Sequence, residues 1–203
     1  MAEAKNTVTK KYATGKGELT GYVGILAPSK KYDNYTAQLL ISKEEGEKLY
    51  AVIKDIRQEQ FKLYGKGTRL EEITQCIPYT TVDEETGEKI PDNEGRYILK
   101  ASAKANSENG IPKYRITVLD AKLKPVKNIN AGQGTTAKLG VELSGYCAGG
   151  KTGVSVRLKL VQIINLVEYQ SDTAAAYGLT EEEGFEFEEE EHNSDELAEE
   201  EDF

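Results

Sequence analysis

A chain of 203 residues has room for one domain of ordinary size plus appendages, and 26 Lys and Arg against 35 Asp and Glu leave a formal net charge of -9, which by itself argues against a polyanionic partner. No apolar run approaches the ~18 residues of a membrane helix, and the opening MAEAKNTVTKKYATG lacks a signal-peptide core, so a cytoplasmic protein without membrane contact is expected. Cys76 and Cys147 lie far apart, with no CxxC pair and no neighbouring His, so both are expected to be small buried hydrophobes rather than zinc ligands or a disulfide.

The first strand-like runs are GELTGYVGIL and YTAQLLIS, between residues 15 and 42, joined by APSKKYDN, whose Pro28, Asp33 and Asn34 carry turn chemistry. They predict a β-hairpin. Ser42 followed by Glu45 is a capping-box signal, and Leu49, Val52, Ile53, Ile56, Leu63 and Tyr64 recur at helical spacing up to Gly65, a natural stop. A helix packing one face on a sheet is expected there. Residues 66–95 predict a short helical turn around Leu70 to Ile73 and then, in PYTTVDEETGEKIPDNEG, a long exposed connection.

From Arg96 the pattern is β again: RYILKASAKA, YRITVLD, AKLGVELSGY and GVSVRLKLVQIINLVEY, each bounded by Gly, Pro, Asn or Asp. Four strands at such spacing suggest a small barrel, with Gly149 and Gly150 making the tight hairpin between the last two. QSDTAAAYG then reads as a weak helical or linker stretch. The body is placed at residues 1–172 and a flexible tail at 173–203, too acidic and too poor in apolar residues to offset its ordering entropy.

The charge is divided in the same way. Residues 179–203 hold fourteen of the 35 acidic residues and no Lys or Arg, so the body carries +5 and the tail -14. An acidic interaction tail on a polyanion-binding body has this asymmetry, as does a tail kept for solubility. Phe185, Phe187 and Phe203 have no use in solvation and read as anchors for a partner.

Catalytic chemistry is poorly supplied. The one histidine, His192, lies in the tail, so no His-centred triad, general base or zinc cluster assembles in the body. GQGTTAKLG lacks the GK[ST] ending of a P-loop and leads into a strand, so it reads as a turn. Asp120, Glu142 and Glu168 sit on different strands without metal or acid/base spacing. No catalytic residue, metal or cofactor is assigned, although lone carboxylates leave hydrolysis open.

Binding chemistry is better supplied. Period-two alternation in RYILKASAKA puts Arg96, Lys100 and Lys104 opposite Tyr97, Leu99 and Ala101; in AKLGVELSGY it sets Lys138 and Tyr146 against Leu139, Val141 and Leu143; in GVSVRLKL, Arg157 and Lys159 oppose the apolar set. An aromatic among cations suits a single nucleic-acid strand, whose bases stack on the ring while the cations follow the phosphates. A solvated outer face is the plainer reading of the same alternation.

The segments ITVLDAKLKPV, AKLGVELSGY and TGVSVRLKLVQIINLVEY, with the intervening glycine-rich turn and an acidic tail closing on Asp202 and Phe203, resemble the single-stranded DNA-binding proteins of T7-like bacteriophages. The likeness is strongest from Arg115 to Tyr169, and the N-terminal half agrees in layout. It implies a mainly β fold: an OB-fold, a five-stranded Greek-key barrel, with an inserted α-helix and a disordered acidic C-terminal tail. It implies sequence-independent binding of single-stranded DNA in viral replication, recombination and repair, with protection and annealing of single strands. Glu201, Asp202 and Phe203 would engage the replicative DNA polymerase and helicase-primase, and the tail would compete for the DNA groove. Tyr146 stands where the family has a DNA-contacting tyrosine and Lys100 where it has a lysine on the binding strand. Ser102 stands where the family has an aromatic, and this chain has no Trp. Because some members dimerise through their tails, a homodimer stays open. The alternatives are an acidic-tailed interaction or chaperone-type β-domain with no nucleic-acid binding, and a virion decoration or scaffold protein.

Overall fold

A computed structural model describes residues 7–83, 85–126 and 129–168. The expectations for QSDTAAAYG, for the disordered tail, and for Phe185, Phe187, Glu201, Asp202 and Phe203 lie outside the described residues. In chain order the elements are β1 (Thr9–Ala13), β2 (Gly17–Leu19), β3 (Gly24–Ser29), β4 (Asn34–Ile41), α1 (Lys43–Tyr64), β5 (Arg69–Leu70), β6 (Cys76–Pro78), β7 (Thr80–Val82), β8 (Lys89–Pro91), β9 (Tyr97–Lys104), β10 (Thr117–Leu119), β11 (Thr136–Ala148) and β12 (Lys151–Asn165).

Five strands close on themselves in the order β2, β4, β9, β12, β11 and back to β2. Every junction is antiparallel except β9 with β12, which run parallel and pair at Ser102 and Arg157. β1 continues the edge of β2 along β11, so the two act as one strand bent at Thr14 to Lys16. The bend is sealed by Thr14, whose backbone N–H donates to the Leu139 carbonyl at 3.0 Å while its buried hydroxyl accepts from the Leu139 N–H at 2.9 Å. No ladder group is thereby left orphaned.

The alternation of apolar residues decides the inside. Leu39, Leu99, Leu139, Leu143, Leu158 and Val161 are fully buried, and each comes from the inward phase of a long strand. The hairpin of β11 and β12 turns at Gly149 and Gly150, with φ of 56° and 72°, where a side chain would be strained. β3 and β4 form the expected first hairpin, with β2 joining the same edge of β4. YRITVLD yields only β10, which lies outside the ring and pairs with β12 in parallel.

α1 is inserted between the second and third ring strands and lays Gly46, Leu49, Ile53, Ile56 and Gln60 on the core, a 3- and 4-residue spacing that keeps one face inward. Burying Leu49, Ile53 and Ile56 contributes roughly 1.5–3 kcal/mol each. Gly46 permits the close approach: a Cβ there would stand 2.2 Å from the Tyr97 ring. The buried stripe ends at Gln60, so Leu63, expected on the core face, is exposed. Ser42 caps the helix by accepting from the Glu45 N–H at 3.4 Å, but only half of the capping box forms. The Glu45 carboxylate instead accepts from the Tyr12 hydroxyl (3.0 Å) and the Gly15 N–H (3.1 Å), because the N-terminal strand crosses the helix start and presents those donors. Burial, with Glu45 beside it, pushes the Tyr12 hydroxyl up to about 12.

The predicted helical turn at Leu70 to Ile73 is instead an extended strap. The Arg69 and Glu71 N–H groups donate to the Gly150 and Thr152 carbonyls at 3.0 and 2.8 Å, and beyond them β6 joins β9, so the backbone groups a helix would use are taken by neighbouring strands. Ile73 is buried and Leu70 exposed, so their spacing of three reflects two sides of an extended segment. The connection after it, residues 78–95, is largely exposed among its described residues, as expected, and carries the hairpin of β7 and β8; within it Asp92 is buried. Cys76 is a core residue as expected, with burial pushing its thiol up to about 12, whereas Cys147 is half-buried. No helix among the described residues is long and apolar enough to cross a membrane.

Candidate nucleic-acid interface

The outward phase of β4, β9 and β12 forms the floor of an open groove of about 1100 Å³. Register fixes its layout. Asn34 pairs with Lys104, Thr36 with Ser102 and Gln38 with Lys100 across β4 and β9, and Ser102 pairs with Arg157 on β12. Paired residues on one face stand ~5 Å apart, so these side chains form short transverse rows. The longest row runs Gly24, Thr36, Ser102, Arg157, Glu142, Lys11, across five strand junctions.

Four of the residues expected from alternation meet in this groove: Lys100, Lys104, Arg157 and Lys159. Lys104 is anchored by donating to the Tyr32 carbonyl at 3.0 Å. Lys159 keeps the outward phase of Arg157, and the register slips just beyond it. Val141 pairs with Leu158 and Gly140 with Leu160, so Lys159 is the extra residue of a bulge, which turns Leu160 outward as well. Glu142 lies between the two β12 cations, 4.0 Å from Arg157 and 3.7 Å from Lys159.

Arg96 and Lys138 do not line the groove. Arg96 precedes β9 and is held by Asp92 through two bonds, Nη2 to Oδ1 at 2.7 Å and Nε to Oδ2 at 3.1 Å. Asp92 also accepts from the Arg96 N–H at 3.0 Å, and these contacts pull its carboxyl down to about 2. Lys138 lies farther along β11, in register with Gln162.

Tyr146 lies in an adjoining recess of about 880 Å³ over β1, β11 and β12. Ser155 and Arg157 line both recess and groove, so the two are continuous. The Tyr146 hydroxyl donates to Glu71 Oε2, and that bond, followed by burial, pushes it up to about 12.

The groove also holds residues that strand alternation did not single out. Tyr114 and Arg115 stand at its mouth, Tyr114 being 64% exposed, and the Tyr114 N–H donates to the Ala105 carbonyl at 3.0 Å. Their signal was available in Lys113-Tyr114-Arg115, an aromatic between cations, but that triplet falls at the start of a run read as strand. Thr74 and Gln75 reach the groove from the strap, where the Gln75 carbonyl accepts from the Lys100 N–H at 2.7 Å. Among the described residues no group of three or more His, Cys, Asp or Glu could hold a metal ion.

Solved structures resemble this body. The crystal structure of gp2.5, a single-stranded DNA-binding protein encoded by bacteriophage T7, superposes with a TM-score of 0.58 over 89% of this chain and 100% of that one, at 16% identity. The fold is that of phage single-stranded DNA-binding proteins. The single-stranded DNA-binding protein of bacteriophage Enc34 matches with a TM-score of 0.50 over 87% of this chain and 97% of that one, at 15% identity. Its complex with single-stranded DNA also matches with a TM-score of 0.50, at 15% identity, over 83% and 95%. No family model matches the sequence, and no curated protein matches it. The closed ring, with its parallel junction between third and last strands and the helix inserted after the second, is the expected OB-fold.

Proposed function

We propose that the chain binds single-stranded DNA without sequence preference in the groove of β4, β9 and β12. The observation that carries this reading is the convergence of Lys100, Lys104, Arg157 and Lys159 in one groove with Tyr114 at its mouth. Cations spaced along an open track take successive phosphates, and an exposed ring offers any base a stacking face, which gives affinity without a hydrogen-bond code. The fold shared with phage single-stranded DNA-binding proteins supports the same reading.

On this reading the protein is a binder, not an enzyme, and acts in viral DNA replication, recombination and repair inside the host cell, protecting single strands and promoting their annealing. Glu201, Asp202 and Phe203, with Phe185 and Phe187, recruit a replicative polymerase and helicase-primase. The -14 segment competes with DNA for the +5 body, as the division of charge suggests.

The test is an anisotropy titration of labelled oligo-dT, its duplex and an RNA of equal length at two salt concentrations, with the full chain and with Leu179–Phe203 removed. Salt-sensitive preference for the single strand, tighter without the acidic segment, is expected. Unchanged affinity on truncation would remove the competition, and no binding by either protein would favour a protein-interaction role for the body. Phe203→Ala should abolish polymerase stimulation while leaving DNA affinity unchanged.

A further inference from the structure

At the hairpin end of the interface one carboxylate is held as an anion ligand would be. Glu71 Oε2 accepts from the Tyr146 hydroxyl, and Oε1 accepts from Lys151 Nζ at 3.1 Å. Arg69 pairs in register with Lys151, and its charge acts on the same carboxylate. Two donors, from β11 and the start of β12, and one further positive charge, from the strap, thus act on it. Tyr146 is seated over Gly153, its cross-strand partner, where a Cβ would stand 2.5 Å from the tyrosine oxygen. The tyrosine donor is thus fixed by the sheet.

The carboxylate is less constrained. Its backbone is pinned, with the N–H on the Thr152 carbonyl at 2.8 Å and the carbonyl on Arg57 Nη1 at 2.5 Å, but the side chain is 33% exposed and Lys151 is 42% exposed. It can swing out without moving the strap. Two donors meeting two oxygens of one anion also suit the two non-bridging oxygens of a phosphodiester. The recess that Tyr146 lines runs into the groove through Ser155 and Arg157, so a strand lying in the groove is led toward this cluster.

We propose that Tyr146, Lys151 and Arg69 form a phosphate subsite of the nucleic-acid interface, occupied in the unbound protein by the Glu71 carboxylate, which a backbone phosphate displaces. The inference rests on the single-stranded DNA reading and adds a competing anion within the folded body. An exposed pair of this kind is worth little, so its removal shifts affinity only modestly. The displaced carboxylate stays nearby as a single charge that salt screens, so its effect on binding is largest at low salt.

The experiment compares the full chain with Glu71→Gln in oligo-dT titrations over a salt series. The expected result is about two- to fivefold tighter binding at low salt, a gain that shrinks as added salt screens the carboxylate of the native chain. Equal or weaker binding by a Glu71→Gln protein with an unchanged melting curve would make Glu71 a brace for Tyr146 and overturn the proposal. A second readout needs no substitution: the Glu71 carboxyl carbon resonance of the native protein should move toward that of a solvated glutamate on saturation with oligo-dT, and an unmoved resonance overturns the proposal. If the native protein binds no oligonucleotide, the single-stranded DNA reading itself fails and the subsite falls with it.

Discussion

Ser102 and Arg157 pair across the parallel junction of β9 and β12, which sets a small hydroxymethyl beside a guanidinium in the middle of the groove. The position is exposed and flanked by Thr36 on the other side. A ring placed there would lie on the path of the bases. Ser102→Trp should therefore tighten oligo-dT binding, within the ~1–3 kcal/mol of one stacked base. Since the chain has no other Trp, its fluorescence reports the contact directly. Strong quenching on oligo-dT addition is expected; an unquenched Trp would place the bases elsewhere.

Tyr114 should behave as a stacking residue with no part in stability. It is 64% exposed, so Tyr114→Ala removes little packing and should leave the melting temperature unchanged. Affinity for single strands should fall by about 1–3 kcal/mol. A stability loss without an affinity loss, read by thermal melting and titration on one preparation, would contradict the assignment.

The cations separate into two groups by what holds them. Lys100→Ala and Arg157→Ala should each weaken binding and lower the salt slope by about 0.7. Arg96→Ala should leave the slope unchanged and lower the melting temperature, because it strands the buried Asp92 carboxylate that Arg96 now satisfies. Salt series on the three variants test this division.

The Asp92 to Arg96 pair also predicts an acid response. The Asp92 carboxyl is pulled from 3.8 to about 2 in the fold, so the unfolded chain takes up the proton first as pH falls. The pair's contribution to stability is complete above about 5 and is lost progressively as pH drops through 3.8 toward 2. Asp92→Asn should melt lower than the native protein at pH 6 and show a flatter decline between pH 4 and 2. Parallel slopes in that window would mean the pair carries no pH-linked stability.

Much of the architecture was legible because it is local. Alternation in β9, β11 and β12, the paired glycines at 149 and 150, and Ser42 before an apolar 3- and 4-residue spacing each determine their element within a short window. What was not legible depends on distant partners. The strap from Arg69 to Pro78 is extended because Gly150, Thr152 and β9 supply its hydrogen bonds, and Glu45 leaves its capping box because Tyr12 and Gly15 lie beside it. Alternation put Arg96 in phase with Lys100 and Lys104, but the binding face was narrower than the phase: Asp92, four residues earlier, claims Arg96 first. The bulge at Lys159 and the arrival of Tyr114 at the groove mouth are likewise properties of the closed barrel, not of any one segment.

The most direct measurement is a titration of labelled oligo-dT with the native chain and with a Lys100→Glu, Arg157→Glu double variant, at low and moderate salt, with melting curves for both. Salt-sensitive binding by the native protein that the folded double variant has lost is the predicted result. Equal binding by the two would mean that single-stranded DNA does not lie in the groove of β4, β9 and β12.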